Sequence, residues 1–268
     1  MIAALIVLAV PATLYLMALR GRTGHPLLRK FRRWKYAHRG LHGNGMPENS
    51  MAAYRLALEN GYGVELDVHM LADGNLAVIH DASLLRTAGV DLKIEDLTTE
   101  ELANYHLEGT EETIPTFQQV LELFNGKAPL IVELKPENGN HDALTATACG
   151  MLDSYPGLYC MESFDPRCIR WLKKNRPDIV RGQLAHNSLH ESGKIPYILR
   201  FVMTNLLSNF WNTPDFIAYR YCDRNRLSVR LARGFWKVQG VSWTLKTQEE
   251  FDTAVKENWI PIFEGFKP

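Results

Sequence analysis

The stretch Gly63-Val64-Glu65-Leu66-Asp67-Val68-His69-Met70-Leu71-Ala72-Asp73-Gly74-Asn75-Leu76-Ala77-Val78-Ile79-His80-Asp81 decides the architecture. Side chains at i and i+2 of a strand share a face. Val64, Leu66 and Val68 therefore point one way, and Glu65 and Asp67 the other. Asp73-Gly74 is a turn signal that folds Leu76–His80 back as a hairpin partner. His69 shares the parity of Glu65 and Asp67 but reads as a surface residue beside the hairpin.

Working outward, short apolar runs recur between amphipathic stretches. Strands are predicted at Tyr36–His38, Gly63–Val68, Leu130–Leu134, Leu158–Ser163, Ile179–Gln183, Phe216–Tyr219, Gly240–Thr244 and Ile260–Phe263. Helices are predicted at Ser50–Asn60, Phe117–Phe124, Asp142–Ser154, Pro166–Asn175, Pro196–Phe210, Asn225–Gly234 and Gln248–Glu257, with Ser50 and Thr247 as N-caps. Strand and helix alternation of this kind predicts an α/β fold, one (β/α)8 barrel over 36–268. It carries a hairpin and loop insertion, 81–115, after the second strand. Only Glu264 to Pro268 follow the last strand, so the eighth helix is missing, and the stretch 24–35 is expected to cover that gap.

Hydrophobic residues make up 46% of the 268 residues and charged ones 22%. That composition excludes a disordered chain and a polytopic membrane protein. Lys and Arg together number 30, as do Asp and Glu. The balance hides an asymmetry: Met1–Lys35 holds seven basic residues and no acidic one, so the rest carries net −7. Without a basic surplus no nucleic-acid partner is expected. Ile2–Leu19 is uncharged, and as a helix it would reach about 27 Å. No basic residue precedes it, which argues against a cleaved signal peptide. Residues 1–20 are expected to form a single transmembrane helix and 21–35 a basic neck near lipid head groups, with the body cytoplasmic. Cys149, Cys160, Cys168 and Cys222 have no metal-binding spacing and are read as buried free thiols.

Active residues of such barrels lie at the C-terminal strand ends. There stand His38-Arg39-Gly40, Glu65-Leu66-Asp67, His80-Asp81 and Glu133-Leu134-Lys135. Three carboxylates converging on a barrel interior would repel one another, and a divalent cation resolves that repulsion. Oxygen-only ligands favour Mg²⁺ or Ca²⁺. Arg39 and Lys135 suit a phosphate, and His38 and His80 titrate near neutrality.

Together with Ala37–Gly40 (A-H-R-G), these motifs form a longer ordered set: Pro47–Ser50 (P-E-N-S), Glu65–Val68 (E-L-D-V), Ile79–Asp81 (I-H-D), Asp96–Leu102 (D-L-T-x-x-E-L), Ile114–Thr116 (I-P-T), Val132–Pro136 (V-E-L-K-P), Ser163–Pro166 (S-F-D-P) and Ser242–Thr244 (S-W-T). The chain thus resembles the glycerophosphodiester phosphodiesterases from Tyr36 to about Phe263. The resemblance implies a metal-dependent barrel that releases glycerol 3-phosphate and an alcohol. By that resemblance Glu65, Asp67 and Glu133 are metal ligands, and His38 and His80 the acid–base pair. Arg39 and Lys135 contact phosphate, Phe164 and Trp243 wall the substrate pocket, and Glu48 has a supporting place. Asp81 and His69 receive no role.

The chain departs from the family's pattern at Leu245-Lys246, at Phe263-Glu264, where a Thr-Asp pair is usual, and in its missing eighth helix. Runner-up substrates are lysophospholipids or phosphoinositides. The different-class alternative is a non-catalytic barrel that binds phospholipid. Membrane lipid is an expected partner, and no protein partner is indicated. Pro196–Trp211 is unusually apolar. It reads as a helix burying a wide face on the barrel or, alternatively, as an interfacial lip.

Overall fold

The computed structural model describes residues 2–191 and 195–268, with residues 2–9 described by their backbone helix alone. Among the described residues nine strands form one sheet: β1 (Tyr36–His38), β2 (Gly63–Met70), β3 (Leu76–Val78), β4 (Leu130–Leu134), β5 (Tyr159–Ser163), β6 (Arg181–Ala185), β7 (Phe216–Arg220), β8 (Gln239–Leu245) and β9 (Trp259–Phe263). Eight are parallel, and β1 pairs with both β2 and β9, which closes a barrel. The ninth, β3, is the hairpin partner of β2, antiparallel with Val68 opposite Val78.

Period-two patterning sorts side chains between two cores. Val64, Leu66, Val68, Val132 and Leu134 face outward onto helices carrying Tyr54, Phe117, Phe124 and Leu144. Ile131, Cys160, Val180, Ala218, Val241 and Ile262 fill the interior. Several helix starts carry side-chain caps. Ser50 accepts the Ala53 amide at the head of Met51–Glu59, Thr116 and Gln119 cap Phe117–Phe124 reciprocally, and Asp165 caps Pro166–Asn175.

Only the end of the neck reaches the gap beside β9, where Lys35 Nζ lies 5.4 Å over the Phe251 ring. The neck's short helix, Leu28–Phe31, plugs the bottom of the barrel, where Leu28 and Phe31 join the interior core and Tyr36 Oη donates to the Phe31 carbonyl at 3.2 Å. Interleaved apolar residues drive this insertion, because an open barrel floor would expose the interior layer. The gap beside β9 is instead filled by the chain after it. Phe266 stacks edge-on with Phe251 and Phe263, and Lys35 Nζ donates to the Pro268 carbonyl.

Two further segments differ from the sequence expectation. The stretch 196–210 is two helices, Tyr197–Thr204 and Asn209–Asn212, broken at Leu206, whose φ is +58°. In the first of them only Thr204 is buried, so no wide face packs on the barrel. The N-terminal helix is Ile2–Ala18, 17 residues, and Leu19 is already buried against the barrel. Among the described residues no helix is long and apolar enough to cross a membrane. All four cysteines are free; Cys222 is exposed, not buried.

The insertion after β3 is a roof with its own small core: Leu84, Ile94, Leu97, Leu102, Leu107 and Ile114 pack on Leu71, Ala77 and Ile79 behind the hairpin.

Candidate active site

At the C-terminal strand ends lies a cavity of about 190 Å³, touched by His38, Arg39, Glu65, His80, Glu133 and Trp243. Register places the acids side by side: Asp67 of β2 opposes Glu133 of β4, and Glu133 opposes Glu162 of β5. Each sits at an inward position, so burial follows from parity. Glu65, Asp67 and Glu133 are each at most 6% exposed and bring carboxylate oxygens within 4.8 Å of one another, a group that can hold a metal ion.

The donor set fits a divalent cation on two counts. Glu65 Oε1 is buried with no hydrogen-bond partner, as is Glu162 Oε2. Such orphaned oxygens are disfavoured unless something positive reaches them. Against four carboxylates stand two permanent cations, Arg39 and Lys135. With all ionised the cluster is left near −2, the charge a divalent ion balances. Lys135 Nζ lies 2.6 Å from Glu133 and 3.1 Å from Asp67. Arg39 Nη1 donates to Glu48 at 3.0 Å, and its Nε lies 3.4 Å from Asp67.

These charges split the acids. Burial, then the charges of Asp67, Glu133 and Glu162, push Glu65 well above the carboxylate range. Burial pushes Glu133 up to about 7, with Lys135 opposing. Burial also works to raise Asp67, but Lys135, Arg39 and His80 outweigh it and hold it far below its usual value. Asn49 Nδ2 adds a hydrogen bond to Asp67 Oδ2 at 2.9 Å and is itself held by Tyr54 Oη at 2.6 Å.

Each histidine has its own carboxylate. His38 Nδ1 lies 2.6 Å from Glu264, and His80 Nδ1 lies 2.6 Å from Asp81. Glu264 is held down to about 2, first by the hydrogen bond from His38. Ionised, it fixes the Nδ1–H tautomer and leaves Nε2 as the basic nitrogen; that nitrogen lies 3.8 Å from Glu65. Burial lowers the pKa of both His38 and His80.

The sharp turn after β1 aims Arg39. Its φ is +53°, and its amide donates to Glu65 at 3.3 Å. Gly40 follows at φ +81°, where a Cβ would fall 2.9 Å from that of Ala53, so only glycine fits.

All ten sequence-predicted site residues gather here. Phe164 and Trp243 meet edge-on at 5.8 Å, and Lys135 Nζ lies 6.0 Å above the Phe164 ring. Glu48 precedes the Ser50 cap and joins Arg39 to Arg86. Sequence reasoning left Asn49, Glu162, Glu264 and Arg86 out of the site. Glu162 was within reach, since it falls on the inward parity of β5. His69 is 1% exposed, not a surface residue; its Nε2 contacts the His80 carbonyl at 3.2 Å.

Residues 38–263 match the glycerophosphoryl diester phosphodiesterase family, and the chain belongs to it. It is an enzyme of that class, a phosphoric diester hydrolase. A glycerophosphodiester phosphodiesterase of Caldanaerobacter subterraneus is 28% identical over 82% of this chain and 88% of its own. One from Bacillus altitudinis is 40% identical, over 38% of this chain and 44% of its own. A solved phosphodiesterase of Oleispira antarctica, in complex with the product sn-glycerol-3-phosphate, shares the fold at a TM-score of 0.73 and 22% identity, covering 91% of this chain and 95% of its own.

Proposed function

We propose that this chain hydrolyses glycerophosphodiesters to sn-glycerol 3-phosphate and an alcohol, with a divalent cation, Mg²⁺ or Ca²⁺, held by Glu65, Asp67 and Glu133. One observation carries the reading: two imidazoles, each backed by its own carboxylate at 2.6 Å, border the same cavity as Glu65 and Glu133. The cation, when bound, would neutralise negative charge on the phosphoryl oxygens. Arg39 and Lys135 add fixed positive charge at the same oxygens and so favour the transition state over the ground state. His38 Nε2, kept basic by Glu264, takes the proton of the attacking oxygen. His80, beside Asp81, gives a proton to the departing alkoxide. The attacking oxygen is that of water or of the neighbouring glycerol hydroxyl, the latter by way of a cyclic phosphate that water opens.

We also propose that Ile2–Ala18 holds the chain at a cell membrane with residues 36–268 as the catalytic unit on the cytoplasmic side. The uncharged run and its one-sided basic flank support this. Carbonate extraction and protease accessibility of intact cells check it: a body digested from outside contradicts the orientation.

The activity is tested by glycerol 3-phosphate release from glycerophosphocholine. Release that stops with EDTA and returns with Mg²⁺ or Ca²⁺ is expected. Undiminished release in EDTA would contradict the role of the cation, and no release from any glycerophosphodiester would contradict the function.

A further inference from the structure

Beside the three carboxylates, the mouth of the barrel holds a second group of ligand atoms. His38, His42 and Glu264, all half-buried, each bring one such atom within 4.8 Å of the other two, and the two groups share no residue. Topology explains the meeting. β1 and β9 run parallel with Ala37 opposite Phe263, so the next residue of each, His38 and Glu264, stand side by side where the strands end. His38 Nδ1 and Glu264 Oε2 are 2.6 Å apart.

His42 is brought back to this pair by the turn at Arg39 and Gly40, whose φ angles are both positive. The chain is fastened on each side of it. The Leu41 amide donates to the Ala53 carbonyl at 3.0 Å, and Gly43 and Met46 exchange backbone hydrogen bonds at 2.9 and 3.1 Å. Yet His42 Nε2 is buried with no hydrogen-bond partner among the described residues. A buried ring nitrogen left in that state is disfavoured unless a donor or a cation reaches it. The proposed reaction gives it no part, because His38 is already backed by Glu264 and His80 by Asp81.

Donor chemistry decides which cation fits. Two imidazoles and one carboxylate are a set that Zn²⁺ takes in three-ligand sites, with the fourth position left to water. Glu65, Asp67 and Glu133 offer oxygen alone and favour Mg²⁺ or Ca²⁺. Tetrahedral bonds of ~2.0–2.2 Å put ligand atoms ~3.3–3.5 Å apart. The His38–Glu264 pair therefore opens by under ~1 Å, and His42 closes by at most ~1.5 Å. Lys246 Nζ lies 3.4 Å from Glu264 Oε1, but its side chain is 68% exposed and free to turn into solvent.

We infer that His38, His42 and Glu264 form an inhibitory site for Zn²⁺, separate from the site of the catalytic cation. This rests on the function proposed above, in which His38 Nε2 takes the proton of the attacking oxygen. Zinc on Nε2 occupies the lone pair that does so. Zinc on Nδ1 displaces the proton shared with Glu264; the neutral ring then carries that proton on Nε2, which can no longer accept one. By both routes the base is withdrawn, and no proton is gained or lost by the ring.

The test follows glycerol 3-phosphate release from glycerophosphocholine in excess Mg²⁺ while free Zn²⁺ is raised with a metal buffer. Wild-type turnover should fall at least about tenfold, as expected for loss of a general base. His42→Ala should keep wild-type turnover without Zn²⁺ and need at least about tenfold more Zn²⁺ for half-inhibition, since loss of even an outer partner of a metal site costs ~10–100-fold in affinity. His42→Gln, which keeps a polar side chain of similar size, should do the same and separates ligand loss from a packing defect. Turnover that Zn²⁺ leaves undiminished overturns the inference. So does equal inhibition of all three proteins, which would mean that Zn²⁺ acts by displacing Mg²⁺ from the carboxylates. If no diester is cleaved, the function itself fails, and calorimetric titration of Zn²⁺ into the protein in excess Mg²⁺ still decides the site. Binding weakened at least about tenfold in both His42 variants supports it; equal binding, or none, overturns it.

Discussion

A cation entering the acid cluster has to expel protons. In its absence burial raises Glu133 to about 7 and Glu65 well above its ordinary value, while Lys135 and Arg39 keep Asp67 ionised. At pH 6 Glu133 therefore carries a proton that it has lost by pH 8. Binding of Mg²⁺ or Ca²⁺ should release about one proton more at pH 6 than at pH 8. Affinity should accordingly climb about tenfold more per pH unit near pH 6 than near pH 8. Stability of the cation-free protein follows the same shift. A raised folded-state pKa stabilises the fold at low pH, and that contribution is lost as pH climbs through about 7. For Glu133 the shift is worth about 3 kcal/mol, or on the order of 10 °C in Tm for a chain of this size. Calorimetry in buffers of different ionisation enthalpy counts the protons, and scanning calorimetry from pH 5 to 8 follows Tm. Glu133→Gln should remove that extra proton from the count at pH 6. Cation binding that releases no protons at pH 6 would refute the idea that these carboxylates are pressed together by the barrel.

Three further outcomes are expected. His38→Ala or His80→Ala should lower kcat by about 10²–10⁴ with circular dichroism unchanged; near-normal turnover in both would exclude the acid–base assignment. Arg86 donates to Glu48 at 2.6 Å and also to Asp81, tying the roof to both the Arg39 and the His80 sides of the site. Burial works to raise Asp81, but the Arg86 hydrogen bond prevails and lowers it, so Arg86→Met should let Asp81 protonate at higher pH. The acidic limb of the kcat profile should move up and kcat/KM fall about tenfold, equivalent to ~1.4 kcal/mol; an unmoved limb would show that Arg86 only braces the roof. Phe31→Ala should destabilise the fold by about 3–5 kcal/mol by unplugging the barrel floor. A Tm within a degree or two of wild type, measured calorimetrically, would mean that the neck is dispensable.

The barrel was legible wherever local pattern and tertiary role coincide. Strands β1, β4 and β9 and helices Phe117–Phe124 and Pro166–Asn175 fall within a residue of expectation, because alternation and caps are local signals. Strand β6 lies two residues later than Ile179–Gln183. Its apolar start, Ile179 and Val180, is buried at the barrel floor before the strand proper begins. His38, Arg39, Glu65, Asp67, His80, Glu133 and Lys135 were readable because strand-end position and parity together place them, whereas Phe164, Trp243 and Glu48 followed only from the family resemblance. Arg86 was not readable, since its segment has no period and its partner Glu48 is 38 residues away. The neck was misplaced for a related reason: Leu28 and Phe31 announce burial but not which surface buries them. Helix Tyr197–Thr204 shows the converse, since apolar composition alone does not say whether a face meets protein or solvent.

The central claim is that one divalent cation sits among Glu65, Asp67 and Glu133. Anomalous diffraction from crystals soaked in Mn²⁺ tests it most directly. The account requires a peak with oxygens of all three carboxylates at about 2.0–2.6 Å. A peak instead at His38, His42 and Glu264, the other described cluster able to hold a metal, or no peak at all, would contradict it.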